Sequence, residues 1–199
     1  MNLMKNKRTH AFTLIELLMV IAIIGILAGI LIPTVGAVRK QANVAASKAQ
    51  LSNYVTAIQM FKGDYGYYPF VSGGGDSDDF TLDSVGKSSE FIRTLSGRNA
   101  DGSVISPSVA KSTGNRRRVA YHSFSESEFF ITVADKVSVD QIADRFNNVN
   151  ISIEIDTDGD GFVKPSPVEN APTNPIRTPI TAYVDADESI DAPSYTLWD

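Results

Sequence analysis

The sequence has no cysteine, so it forms no disulfide and offers no thiolate to a metal or a substrate. Histidine is almost as scarce, with His10 in the basic start of the chain and His122 as the only other one. His122 therefore stands alone as an imidazole acid–base candidate, and it is expected in a strand or on the surface. No Gly-x-Ser-x-Gly elbow, phosphate-cradling glycine loop or dinucleotide fingerprint occurs. With nucleophile, base and cofactor motifs all missing, the residues favour a structural role over catalysis. Positive charge is also in short supply. The chain carries −5 overall, and −8 once Lys5, Lys7 and Arg8 of the first eleven residues are set aside. A body this acidic argues against nucleic acid as the main partner. The basic cluster at Arg116, Arg117 and Arg118 reads as a solvated loop or a partner contact.

The longest absence is of charge itself. From residue 17 to residue 32 every position is apolar or glycine. Extended to residues 12–38, a helix at ~1.5 Å per residue reaches ~40 Å, more than the ~30 Å hydrocarbon core of a bilayer. Glu16 interrupts this segment near its start. A carboxylate there costs at least ~2.5–3.5 kcal/mol at membrane depth, so it needs a function. The basic residues before the segment mark the cytoplasmic end. An ordinary signal peptide, cut near Thr34-Val35-Gly36-Ala37, is the alternative reading; Glu16 and a helical pattern that continues past Ala37 oppose it. Pro33 falls inside the helical stretch and is expected to loosen or kink it.

Beyond Pro33 the pattern becomes amphipathic. Leu51, Tyr54, Val55, Ile58 and Phe61 recur at three- and four-residue spacing, one face of a helix. Gly63 offers a stop, and Asp64-Tyr65-Gly66-Tyr67-Tyr68-Pro69 reads as a turn. One helix over 12–62 is the economical reading. Its first half suits lipid and its second half suits packing on a head formed by residues 63–199. In that head, 70–83 and 98–118 read as loops. Residues 90–95 read as a short helix ending at Gly97, and 139–146 as a helical turn. The alternating Ile151-Ser152-Ile153-Glu154-Ile155 is the clearest strand, and 119–124, 180–184 and 195–198 are further strand candidates. The expected class is α+β, a long N-terminal helix packed on a small antiparallel sheet.

Ala11-Phe12-Thr13-Leu14-Ile15-Glu16, followed by an apolar helix, resembles the N-terminus of type IV pilins and type II secretion pseudopilins. The region from Arg39 to Ile58 with the closing Asp64-Tyr65-Gly66-Tyr67-Tyr68-Pro69 looks like the major pseudopilin in particular. The resemblance implies a leader of residues 1–11, cut between Ala11 and Phe12 by a prepilin peptidase, and methylation of the new N-terminus at Phe12. Ala11 stands where the family usually has glycine. Glu16 corresponds to the family's fifth mature residue, which neutralises the Phe12 amine of a neighbour and sets filament register. Pro33 corresponds to the family's helix proline. The implied fold is the pilin fold. The implied setting is a single pass through a bacterial inner membrane, head in the periplasm, followed by assembly into a filament that drives protein export. Implied partners are further copies of the chain, the peptidase, an inner-membrane assembly platform, minor pseudopilins, and lipid before assembly; no nucleic acid is expected. A type IV pilin of a surface fibre, used for adhesion, motility or DNA uptake, is the alternative within the family. A secreted calcium-binding protein is the alternative outside it.

Two acidic clusters suggest calcium. Asp156-Thr157-Asp158-Gly159-Asp160-Gly161 spaces three carboxylates before a glycine, like the first half of a calcium loop. Pro167 occupies the position where the closing glutamate belongs, with Glu169 two residues on. An acidic turn without metal has the same composition. The second cluster is Asp185, Asp187, Glu188 and Asp191. The family resemblance implies a calcium loop near the C-terminus, at Asp185, Asp187 and Asp191.

Overall fold

The computed structural model describes residues 12–71, 77–132, 134, 136–165 and 174–198. It divides into two compact units, Met1–Ala42 and Asn43–Asp199. Helix α1, Leu14–Tyr65, contributes to both.

In the first unit the apolar side chains of α1, including Leu17, Ile21, Ile24 and Leu31, are exposed. An apolar helix face that no described residue covers has the surface of a membrane or assembly element. The helix runs through Pro33 without a break. The hydroxyl of Thr34 donates to the Leu31 carbonyl at 2.9 Å, in the turn where proline removes a backbone donor.

The second unit is built on the other half of α1. Of the face read from spacing, Leu51, Tyr54, Ile58 and Phe61 are buried and Val55 is half-buried, and Ala57 is buried beside them. Leu51, Tyr54, Ala57 and Ile58 share a core with Ile151, Ile153 and Ile155 of β4 and Ile180, Ala182 and Val184 of β5, while Phe61 packs with Tyr65, Tyr67 and Tyr121. The main sheet is antiparallel in the order β1–β4–β5–β6, formed by Ser77–Thr81, Ile151–Asp156, Ile180–Val184 and Tyr195–Thr196. Phe80 and Ala182 flank Ile153 on either side, fixing a register that turns the isoleucines towards α1's core face. The alternate residues Ser152, Glu154 and Asp156 are also buried. They are held by polar partners: Thr81 to Ser152 at 2.9 Å, and Ser77 to Glu154. A second, two-stranded sheet pairs β2, Phe129–Ile131, with β3, Val137–Ile142.

Several expectations change. Helix α1 ends at Tyr65 rather than near Lys62, and Gly66, at φ 80°, makes the left-handed stop assigned to Gly63. The loop expected over 70–83 contains β1. The loop expected over 98–118 contains helix α3, Pro107–Ser112, started by Ser106 as N-cap and Pro107 in its first turn. The short helix of 90–95 is the end of a longer α2, Val85–Ser96, which does stop at Gly97. Residues 139–146 do not form a helical turn, since 137–142 are strand β3. Residues 119–124 form no strand. Their backbone groups are taken elsewhere: the Asn115 side chain bonds both the N–H and the carbonyl of Val119, and the N–H of Tyr121 donates to Leu95.

Candidate functional site

The N-terminal site begins with a reciprocal cap. Thr13 precedes the first helical residue, and Glu16 lies in the first turn. The Thr13 N–H donates to Glu16 Oε2 at 2.8 Å, and the Glu16 N–H donates to Thr13 Oγ1 at 3.3 Å. The Thr13 hydroxyl adds a third bond to Glu16 Oε2 at 2.9 Å. This is a capping box, which satisfies two donors that a helix start otherwise leaves open. All bonds to the carboxylate fall on Oε2. Oε1 is engaged by no group among the described residues, so the carboxylate can cap its own helix and still accept a cation from outside. Phe12, one residue before the box, is 81% exposed. Ala11 lies outside the described residues. Sequence reading found Glu16 by its charge but missed its local partner, although Thr13-Leu14-Ile15-Glu16 spells the capping-box pattern.

Pro33 lies further along the same helix, within a stretch long and apolar enough to cross a membrane.

The first acidic cluster is brought together. Asp156, Asp158 and Asp160 each offer a carboxylate oxygen within 4.8 Å of the others. The loop is shaped by its own amides: Gly159 and Gly161 donate to the two oxygens of Asp156 at 2.8 and 3.0 Å. Three converging carboxylates are a hard-oxygen set that fits calcium. Pro167 and Glu169 lie outside the described residues. Among the described residues the second cluster is not gathered in this way. Asp187 instead turns its carboxylate to the N–H and hydroxyl of Ser189 at 2.9 and 2.6 Å. Asp191 sits at a left-handed φ of 53° at the end of a 3₁₀ turn, and burial pushes the Asp185 carboxyl up, with Asp79 adding to the shift.

The structure also shows a buried polar chain that sequence reading missed. His122, expected in a strand or at the surface, is neither. Its Nε2 lies 2.8 Å from Glu128 Oε2, with both side chains largely buried. The Tyr54 hydroxyl donates to the same oxygen at 2.8 Å. Gln50 donates to the Tyr54 oxygen and shares its amide with the Ala143 carbonyl. Glu128 Oε1 takes the N–H and hydroxyl of Ser125, each at 2.9 Å. Helix α1 is thus tied to the segment 122–143 by charge-assisted bonds. Ser125-Glu126-Ser127-Glu128 repeats the pattern of Thr13 and Glu16 and was the signal available.

Comparison with known proteins agrees with the N-terminal geometry. The family of the prokaryotic N-terminal methylation motif matches residues 6–32. The chain is 35% identical over 71 residues to the type II secretion system core protein G of Pseudomonas aeruginosa, covering 36% of this chain and 50% of that protein. It is 48% identical over 62 residues to the type IV wide pilus major component PilA4 of Thermus thermophilus, covering 31% of this chain and 47% of that protein. The chain spans about half the length of the curated relatives it matches. No solved structure matches it. The capped, exposed apolar helix begins inside the matched methylation motif, and the chain is similar over part of its length to a type II secretion core protein and to a type IV pilus component.

Proposed function

We propose that the chain is a structural filament subunit, cut before Phe12, methylated there, held by residues 12–38 in the inner membrane and then withdrawn into a filament core. The capping box carries this reading. It places a carboxylate with one open oxygen beside the segment where cleavage would create a new amine. An ammonium or a carboxylate alone is costly in the bilayer, and pairing offsets part of that cost. The open oxygen of Glu16 suits the Phe12 amine of a neighbouring copy. Methylation keeps the charge of that amine. Mass spectrometry of the mature protein should find an N-terminal peptide that begins at Phe12 and carries one methyl group. A peptide beginning near Val38 or Gln41 would instead assign an ordinary signal sequence and end the filament reading.

Within this class the chain is read as a type II secretion pseudopilin, served by a prepilin peptidase, an assembly platform and minor pseudopilins. The absence of cysteine, and so of a C-terminal disulfide, supports it. The 48% identity to a wide-pilus component supports the other member of the class, a surface fibre. Deleting the gene separates the two. A pseudopilin deletion abolishes export of secreted proteins and leaves surface fibres intact, whereas a pilin deletion does the reverse.

The loop at Asp156, Asp158 and Asp160 is proposed as a calcium seat that orders the sheet's exit from β4. Binding to the folded state alone adds about 1.4–2.7 kcal/mol when free calcium is ~10–100 times the dissociation constant. For a chain of this size that is a melting shift of roughly 3–10 °C. The full chain in detergent should melt that much higher in calcium than in chelator, and equal melting temperatures would dismiss the site.

A further inference from the structure

A groove of about 450 Å³ opens in the head between α2, α3 and the chain that follows α1. Its walls are fixed by close packing. Tyr67 is exposed, yet its ring does not swing freely: Phe61 meets it edge-on at 5.7 Å, and its hydroxyl donates to the Gly114 carbonyl at 3.4 Å. Gly114 permits that approach, because it lies at φ 79° and a Cβ there would meet the Tyr67 hydroxyl at 2.7 Å. Phe70, also on the groove, takes a left-handed φ of 66°, which is unfavourable for any residue but glycine. Its ring stacks on Phe80 at 4.5 Å and lies 5.3 Å from Phe91, so packing holds the strained backbone in place. Strain held this way is found at ligand clamps.

The polar groups of the groove are left unused by the fold. Glu90 and Thr94 both line it, one turn apart on the same face of α2. Lys111 joins them from α3. Glu90 and Lys111 are exposed, and among the described residues they pair neither with each other nor with another charge. Thr94 is buried, and its Oγ1 has no hydrogen-bond partner among the described residues. Ser96, two residues on, gives its hydroxyl to the Ile92 carbonyl at 2.7 Å. Thr94 does not take that outlet. A buried hydroxyl without a partner is rare enough to need a reason, and a ligand in the groove supplies one.

The donors and acceptors define what fits. A glutamate carboxylate only accepts hydrogen bonds, a lysine ammonium only donates them, and a threonine hydroxyl does both. An anionic ligand would meet Glu90 and a cationic one Lys111. A neutral ligand dense in hydroxyls satisfies all three together. The exposed Tyr67 ring asks for an apolar face as well. A sugar ring has both parts, C–H bonds on its face and hydroxyls around its edge. We propose that this groove binds a neutral saccharide, with Tyr67 against a ring face and Glu90, Thr94 and Lys111 taking the hydroxyls. Its volume falls in the ~300–1,000 Å³ range of small-molecule sites. A peptide is the rival occupant, but peptides dock on a free strand edge or in an apolar groove, and the charged side chains here come from helices. The site lies within the head, so binding does not depend on assembly into a filament.

Saturation-transfer NMR on the full chain tests this, in a phosphocholine detergent that carries no sugar. The probes are cellotriose, maltotriose, the anionic trigalacturonate and the tripeptide Ala-Phe-Ala. Transfer from the protein to the ring C–H protons of a neutral trisaccharide is expected, with a weaker response from trigalacturonate. Glu90→Ala should weaken the sugar by about ten-fold, the usual loss of a bond to a charged group. Thr94→Val should weaken it by about five-fold, the usual loss of a neutral bond. Thr94→Val should not lower the melting temperature, because that hydroxyl makes no bond in the fold. Silence from both neutral sugars overturns the proposal, and a response from Ala-Phe-Ala alone hands the groove to peptides. An equal or stronger response from trigalacturonate overturns the neutral ligand. Sugar binding that both variants leave unchanged places the sugar elsewhere and overturns the site. None of these outcomes bears on the filament reading, which stands or falls on the mature N-terminus.

Discussion

Glu16→Ala should leave membrane insertion intact and lower filament yield by roughly 10²-fold. The expected size follows from the cost of an unpaired charge at membrane depth, at least ~2.5–3.5 kcal/mol, with each ~1.4 kcal/mol worth a factor of ten. Insertion is spared because the segment from 17 to 32 is untouched. Alanine removes two things at once: the cap on the Thr13 N–H and the charge offered by the open oxygen. A cap is worth only about 0.5–2 kcal/mol. Glu16→Gln separates the two, since glutamine also serves in a capping box but carries no charge. Filament counts by sedimentation and alkaline extraction of membranes measure assembly and insertion separately. Both variants should extract as integral membrane proteins and fail to assemble. Wild-type yield from Glu16→Gln would show that the carboxylate's charge is dispensable and would remove the pairing from the proposed mechanism.

What the sequence made legible follows from how local each signal is. The helix face Leu51, Tyr54, Ile58 and Phe61 and the alternating strand at 151–155 are periodicities, and both recur in the structure as core. The N-terminal motif is a contiguous word and was read as one. Strand β1 was hidden because Ser77-Asp78-Asp79 has turn composition; its extended form comes from pairing with β4, 71 or more positions away in the chain. Residues 119–124 alternate like a strand, yet Asn115 and the end of α2 claim their backbone before a neighbouring strand can. His122 was misplaced for the same reason. Its surroundings are set by Tyr54 and Glu128, and only the fold brings those three together. Strict alternation such as that of β4 is the usual pattern of a strand with one face in water. Burial of Ser152, Glu154 and Asp156 shows that both faces are covered and that hydrogen bonds make the second one tolerable.

Glu128→Ala should destabilise the head by about 3–5 kcal/mol, since its carboxylate takes bonds from both Tyr54 and His122 and a hydrogen bond to a charged group contributes about 1.5–3 kcal/mol. At ~2–4 °C per kcal/mol for a chain of this size, the melting temperature should fall by roughly 6–20 °C. The loss is large because one carboxylate serves His122, Tyr54 and Ser125 together, and alanine leaves the fully buried Tyr54 hydroxyl and the half-buried His122 without it, while the exposed Ser125 can turn to water. Glu128→Gln fares only partly better. Whichever way its amide turns, the NH₂ faces either the Ser125 donors or the oxygen position shared by Tyr54 and His122. The pH dependence supplies the second test. Burial pushes the Glu128 carboxyl up, but the bonds from His122, the Ser125 N–H and Tyr54 outweigh it and hold the group below its ordinary value. A depressed carboxyl adds stability that is fully present above the unfolded value of ~4.3 and is lost as pH falls through the folded value. The gap between wild type and Glu128→Gln should therefore be widest near neutrality and narrow below about pH 4. Taking the difference is essential, because Asp144 and Asp79 shift the opposite way: burial raises both, and each works against the folded state as pH rises. A gap that stays constant from pH 7 into that acid range would show that Glu128 acts by shape alone and that the charge on its bonds to α1 contributes nothing.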